Sequence, residues 1–301
     1  MSAASALNES VVLITGASTG IGAALAKQLA QRYLGIRLIL AARSQDKLEK
    51  VASICQQTGA SVLIVPTDLA QVEQAQALAQ TALDRFGQID VLVNNAGYGQ
   101  MGPLELMSPE ECRRQFEVNI LGPLALTQAV IPGMRDRGGG RIVNISSIGG
   151  RTAFPFGGLY SGSKFALEAI SDALRMELEP FNIKVSVVEP GAVHNEFLDV
   201  VKQEIETAVP NPQSTPYRAA FAIFGELDQR TKATAWTSDQ VSEVIIKVLN
   251  AKQPRPRYVA ATAGGFLVFL LTKLLPTKAV DRFWQRFYGI NLVAKEWRQQ
   301  K

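Results

Sequence analysis

Four consecutive apolar residues, Val11-Val12-Leu13-Ile14, run straight into Thr15-Gly16-Ala17-Ser18-Thr19-Gly20-Ile21-Gly22, and helical spacing begins at Gly20. A strand with no polar alternation is buried on both faces, which calls for a parallel sheet covered by helices on either side. The unit then repeats: short apolar runs at 36–42, 62–65, 91–93, 142–145 and 185–188 are each joined to the next by a segment of helical length. Residues 257–260 read as one last short strand. This βαβ alternation predicts an α/β fold, a doubly wound parallel sheet. With 301 residues, 47% of them hydrophobic and 19% charged, the chain can bury such a core and is too apolar to be mostly disordered. A segment with three prolines, residues 207–218, breaks the pattern and is expected to form a mobile loop.

Composition narrows the setting. Cys55 and Cys112 cannot build a disulfide framework and lack metal-site spacing, so a reduced compartment and no metal are expected. No basic residue precedes Lys27, unlike the charged start of a secretory signal, and the expected location is the cytoplasm. The net charge of +4 is unevenly spread. From 252 to 301 ten Lys or Arg face two acids, a local +8, leaving 21 basic and 25 acidic residues elsewhere. A mildly acidic body does not read as a nucleic-acid binder; the basic tail needs its own explanation.

The glycine run after the first strand is built for a phosphate-bearing ligand. Glycines let the backbone approach, and the first turn of the following helix offers unpaired N–H groups and the positive dipole end. Dinucleotide sites usually place Asp or Glu at the end of the second strand to hold the ribose hydroxyls. Here that strand ends in Ala41-Ala42 and Arg43 follows. A guanidinium in place of a carboxylate favours a 2′-phosphate, hence NADP(H) over NAD(H).

Tyr160 and Lys164 are four apart at the start of a helical pattern running to 179, so both lie on one face. A free phenol has a pKa near 10; lowering it by roughly three units takes about 4 kcal/mol of differential interaction. Lys164 beside an oxidised nicotinamide could supply that, letting Tyr160 exchange a proton with a substrate oxygen while hydride moves to or from the ring.

Taken in order, Thr15–Gly22, Asn94-Asn95-Ala96-Gly97, Asn119, Ser146-Ser147, Tyr160-x-x-x-Lys164 and Pro190-Gly191 resemble the short-chain dehydrogenase/reductase family across roughly residues 8–260. The resemblance implies a Rossmann fold and a catalytic set of Asn119, Ser147, Tyr160 and Lys164. In it Ser147, rather than Ser146, hydrogen-bonds the substrate oxygen; Tyr160 is the acid/base; Lys164 tunes it and binds the nicotinamide ribose; Asn119 holds a water that links Lys164 to solvent. The same resemblance makes Gly16, Ser18, Thr19, Gly20, Ile21, Gly22, Arg43, Asp68, Leu69, Asn95, Ala96, Gly97, Tyr160, Lys164, Pro190, Gly191 and Val193 the cofactor-binding residues. It puts Asp68 near the adenine and has Asn94 tie the central strand to its neighbours. Where the family often has a threonine, this chain has Asn195, whose amide can still hydrogen-bond a carboxamide. His194 beside it is expected to pack in the loop or edge the substrate.

The stretches 147–160 and 179–194 look like family members acting on steroids and retinoids. After Pro190-Gly191 an apolar lid follows, with Phe197, Leu198, Val200, Val201, Tyr217, Phe221, Ile223 and Phe224. Such a lid suits a lipophilic alcohol or carbonyl compound, though the same residues could pack the core or a subunit interface. Residues 1–260 therefore read as the catalytic domain and 261–301 as an amphipathic helical extension. Residues 259–271 carry no charge but are too few to cross a bilayer, which takes about 20. Val280, Phe283, Trp284, Phe287 and Tyr288 then recur at helical spacing, with Lys278, Asp281, Arg282, Gln285 and Arg286 opposite. That pattern fits a helix lying in the interface on the cytoplasmic side of a membrane; a helix docked on the protein or on a second subunit of a homo-oligomer gives the same one. The competing functional reading is a dinucleotide-binding regulatory or scaffold protein without turnover.

Overall fold

The computed structural model describes residues 7–226, 231 and 233–299. Seven parallel strands form one sheet in the order β3-β2-β1-β4-β5-β6-β9. They are β1 (Val11–Thr15), β2 (Arg37–Ala42), β3 (Ser61–Pro66), β4 (Val91–Asn94), β5 (Gly140–Ile145), β6 (Ile183–Pro190) and β9 (Arg257–Ala260). In register, Leu13 of β1 stands opposite Ile39 on one side and Leu92 on the other. A separate two-residue pair, β7 (Val193–His194) and β8 (Trp236–Thr237), closes the loop after β6.

Side chains alternate between the two faces of the sheet, so each strand feeds two cores. Val12 and Ile14 pack with Leu25 and Leu29 of α1 (Gly20–Arg32), Leu48 of α2 (Gln45–Gln57) and Ile245 of α9 (Ser238–Asn250). Val11 and Leu13 pack on the other face, with Leu78 of α3 (Val72–Phe86) and Leu126 and Val130 of α5 (Gly122–Asp136). Asn94 donates to Asn144 Oδ1 of β5 at 2.8 Å and to Thr127 Oγ1 of α5 at 3.0 Å, the cross-strand tie expected of it.

The strand order reverses direction between β1 and β4, the switch point outside whose carboxyl ends an open α/β sheet places its ligand crevice. A third cluster lies above it, on α6 (Gly158–Leu178), α7 (Phe197–Ala208) and α8 (Arg218–Gly225). The proline-rich segment is more ordered than its composition suggests. Helix α7 reaches Ala208, a 3-10 turn occupies Pro212–Ser214, and Thr215 Oγ1 donates to the Pro212 carbonyl at 2.8 Å.

The extension forms three short helices, α10 (Gly264–Phe269, continued as a wider turn through Leu274), α11 (Thr277–Phe287) and α12 (Ile290–Gln299). No helix of the described residues is long and apolar enough to cross a membrane.

Candidate active site

Two loops meet at the switch point. Thr15 Oγ1 accepts the N–H groups of Asn95 and Ala96 at 3.0 Å each, and Asn95 Nδ2 donates back to the carbonyls of Thr15 and Gly16 at 2.9 and 3.2 Å. This brace makes the approach too close for side chains. A Cβ on Gly16 would stand 2.9 Å from Ala96 Cα, and one on Gly22 would overlap the Gly16 carbonyl. Gly16 and Gly20 also adopt φ of +64° and +55°, which glycine takes without strain. At the N-cap of α1 the Thr19 side chain makes no bond to the helix, unlike the capping box of Ser108 and Glu111 on α4 (Pro109–Phe116). The first-turn N–H groups of α1 thus stay available to an anion.

The other cofactor candidates border this turn. Ala17 N donates to the Ala41 carbonyl at 3.1 Å, which holds the turn against the end of β2 where Arg43 emerges, exposed and without an ion pair among the described residues. Thr67 N donates to the Ala42 carbonyl at 2.9 Å, carrying Asp68 and buried Leu69 to the same edge; Asp68 Oδ1 accepts from Ala70 N at 3.0 Å. On the far side Gly191 N donates to the Ala260 carbonyl at 3.1 Å, and Val193 is fixed by the β7–β8 pair. Asn195 points its amide at the place a Gly20 Cβ would occupy, 3.3 Å away. His194, in contrast, is exposed on β7.

Tyr160, Lys164, Ser147 and Asn119 are gathered on the near side of the crevice. Tyr160 and Lys164 are both buried on α6, with Lys164 Nζ 5.9 Å from the Tyr160 ring centroid. Lys164 Nζ donates to the Ile145 carbonyl at 2.9 Å. Asn119 sits in a π-helical turn (Glu117–Leu121) that turns its amide inward, a register shift common at functional sites. Its Nδ2 donates to the Tyr98 carbonyl and to Ser163 Oγ, both at 3.0 Å, and its Oδ1 accepts from Tyr98 N at 3.1 Å. Gly97 lies between the two: a Cβ there would be 3.2 Å from Asn119 Oδ1 and 3.4 Å from Lys164 Nζ. The Ser147 hydroxyl interacts with Tyr160, whereas buried Ser146 lies against Gly150 and Glu168.

Burial pushes the ionisable pair toward neutrality. It raises the Tyr160 phenol above its ordinary value of 10, against a downward pull from the hydrogen bond with Ser147. It also lowers Lys164 to about 8, against an upward pull from the Glu168 carboxylate one turn along α6. At neutral pH the phenol therefore keeps its proton while Lys164 is still mostly an ammonium. The pull that reaches Tyr160 here comes from Ser147; Lys164 is directed at Ile145.

Three groups that hold this arrangement escaped the sequence reading. Fully buried Gln115 donates to the Tyr98 carbonyl at 3.0 Å and to Ser163 Oγ at 3.3 Å, bracing the loop that Asn119 grips. Behind Lys164, Arg257 binds Glu168 at 2.9 Å and Asp172 at 2.5 Å and lies 3.5 Å from buried Glu189, which Arg151 meets at 2.9 Å. The two arginines thereby join the segments carrying Ser147, Lys164 and Pro190. Third, the ring of Phe154 nests over Gly149 and Gly157; a Cβ on Gly149 would be 3.2 Å from that ring, 3.3 Å from Ser147 Oγ and 3.4 Å from Tyr160. Gln115 and Arg257 carry no local sequence signal because these partners lie 17 to 89 positions away, and Phe154, though near its glycines in sequence, shows its seat only once the turn is folded.

The wall above the catalytic groups is aromatic. Phe197 lies 5.7 Å from Tyr160, Phe156 stacks on Phe221 at 5.1 Å, and Tyr288 stacks on Phe154 at 5.3 Å and 6°. Trp284 Nε1 donates to Thr152 Oγ1 at 3.1 Å. The tail thus docks on the active-site wall through Trp284 and Tyr288.

A short chain dehydrogenase family model matches residues 10–206. The chain belongs to the short-chain dehydrogenase/reductase family. Human 17-beta-hydroxysteroid dehydrogenase type 1 is 31% identical over 268 residues, covering 88% of this chain and 80% of that one. A ketoacyl reductase of Nostoc is 34% identical over 249 residues, covering 81% and 84%. Among solved structures, a Burkholderia phymatum short-chain dehydrogenase/reductase in complex with NAD superposes with TM-score 0.77 at 26% identity, over 88% of this chain and 93% of that one. An alcohol dehydrogenase from Thermococcus sibiricus complexed with 5-hydroxy-NADP gives 0.69 at 27%, over 85% and 97%. This short-chain dehydrogenase/reductase is an oxidoreductase by family, and its neighbours bind either dinucleotide.

Proposed function

We propose that the chain is an NADP(H)-dependent oxidoreductase that interconverts a lipophilic alcohol and its ketone or aldehyde. The observation that carries this reading is the burial of Tyr160 against Ser147 and beside Lys164, beneath a wall of aromatic rings. The bare backbone of Gly16 and Gly22 and the uncapped start of α1 fit a pyrophosphate; Arg43, exposed and in no ion pair with a described residue, fits a 2′-phosphate. The cofactor, when bound, supplies or accepts hydride.

The chain's own groups handle the proton. In the reducing direction the substrate carbonyl oxygen accepts hydrogen bonds from Ser147 and Tyr160, and the Tyr160 O–H passes its proton to that oxygen as it becomes an alkoxide. The phenolate left behind is stabilised by the Lys164 ammonium and reprotonated from solvent by way of Lys164 and Asn119. In the oxidising direction the same groups run in reverse. The aromatic wall supports an apolar substrate: rings that cover the catalytic oxygens offer a sugar no hydrogen-bond partner.

Turnover of NADPH and NADH is to be compared across retinoid, steroid and long-chain carbonyls alongside polar sugars. Preference for NADPH with apolar carbonyls is the expected outcome. Cofactor binding without turnover across the whole panel would replace this reading with the regulatory one.

A further inference from the structure

We propose that the outward faces of α10 and α11 form a docking surface for an anionic lipid bilayer. Along α10 and its extension, Gly264, Val268 and Leu271 face the protein at i, i+4 and i+7, so the opposite stripe holds Phe266, Phe269 and Lys273. A helix on a water-facing surface normally carries polar residues there. Here Phe266 is 69% exposed and Phe269 53%, and the turn that follows leaves Leu274 at 65%.

Helix α11 is two-faced in a way its helical wheel did not disclose. Trp284, and Tyr288 just past its end, turn inward onto Phe154 and Thr152, so these two rings are taken up by the protein and are not offered to lipid. Outside, Phe283 lies exposed between Arg282 and Arg286 along a groove they line together. The membrane-facing set is therefore Phe266, Phe269 and Phe283, with Lys273, Arg282 and Arg286 as the cations.

Charge identifies the occupant. None of those three cations forms an ion pair with a described residue, while Glu296, an acid of the tail, is taken up by Arg218 of α8 at 2.8 Å. Apolar rings ringed by free cations match the acyl boundary and headgroups of an anionic leaflet. A second copy on the same two-fold patch would bring unpaired arginines against unpaired arginines, which argues against it. With no helix of the described residues long enough to span, the contact is interfacial.

The test is flotation of the full chain, saturated with NADPH, with phosphatidylcholine vesicles and with vesicles that also contain phosphatidylserine. Wild type should partition onto the anionic vesicles, more weakly onto neutral ones, and less at high salt. Phe266→Ser/Phe269→Ser and Arg282→Glu/Arg286→Glu should each lower the partition coefficient by about tenfold or more. NADPH turnover in solution and thermal midpoint should stay unchanged, since none of the four touches the catalytic groups. Three results would overturn the proposal: wild type failing to float, either double variant floating like wild type, or a sedimenting dimer that Phe266→Ser/Phe269→Ser dissolves while vesicles bind nothing. Failure here leaves the oxidoreductase reading standing, because turnover is measured separately.

Discussion

Replacing Tyr288 with alanine should loosen the tail and widen the substrate wall without unfolding the sheet. The ring is 7% exposed and stacks flat on Phe154. Truncating a buried aromatic to alanine costs about 3–5 kcal/mol, of which the stacked pair accounts for about 0.5–1.5. The tail is also held by the Trp284–Thr152 hydrogen bond, the buried Val268 and Leu271, the packing of Ile290 and Val293 on the α8 cluster, and the half-exposed Arg218–Glu296 pair, the last worth about 0–1 kcal/mol. The loss therefore falls on local docking, and a deficit of about 3 kcal/mol raises the undocked population by roughly two orders of magnitude. Hydrogen exchange followed by mass spectrometry should show amides of residues 264–299 exchanging faster by about that factor, with β1, β4 and β5 unchanged. The KM for a bulky apolar carbonyl should rise about tenfold or more as Phe154 loses its backing, while NADPH affinity stays put. The reasoning fails if the tail amides keep their protection, or if exchange accelerates in the sheet as much as in the tail.

Three more outcomes follow from the site. Lys164, lowered to about 8 from an unfolded value of 10.5, loses its charge in the folded enzyme first, so kcat/KM should decline as pH rises past about 8. Over the window from 8 to 10.5 the unfolded chain holds a proton the folded one has released, so this lysine makes stability rise with pH; Lys164→Met should abolish that rise in denaturation curves along with most turnover. Arg43→Ala should lower the NADPH-over-NADH preference in kcat/KM by roughly tenfold to a hundredfold, the worth of a charge-assisted pair of about 1.5–3 kcal/mol, and raising salt should narrow the gap.

Strands and cofactor turn were legible because their determinants are local. A parallel strand buried on both faces must be a continuous apolar run, as β1 and β4 are, and the short edge strand expected at 257–260 is present there. The Thr15–Gly22 turn and the Tyr160–Lys164 spacing carry their chemistry within a few positions. What stayed hidden depends on partners far off in sequence. The wheel of α11 gave an apolar face but not its neighbour, since Trp284 meets Thr152, 132 positions away. Arg257 meets Glu168 and Glu189 only once the sheet brings β6, β9 and α6 together, and Gln115 reaches Ser163 only where α4 packs on α6. The prolines of 207–218 read as a loop because composition reports chain breaks, not the turns that pack beneath them.

The most direct measurement is Tyr160→Phe, which removes one hydroxyl and keeps the ring that packs on Phe197. NADPH titration followed by nucleotide fluorescence should give a dissociation constant within about twofold of wild type, while turnover of the best apolar carbonyl falls by about 10²–10⁴-fold, the contribution of a general acid. A variant that binds NADPH and turns over at the wild-type rate would remove Tyr160 from the proton path and the central claim with it.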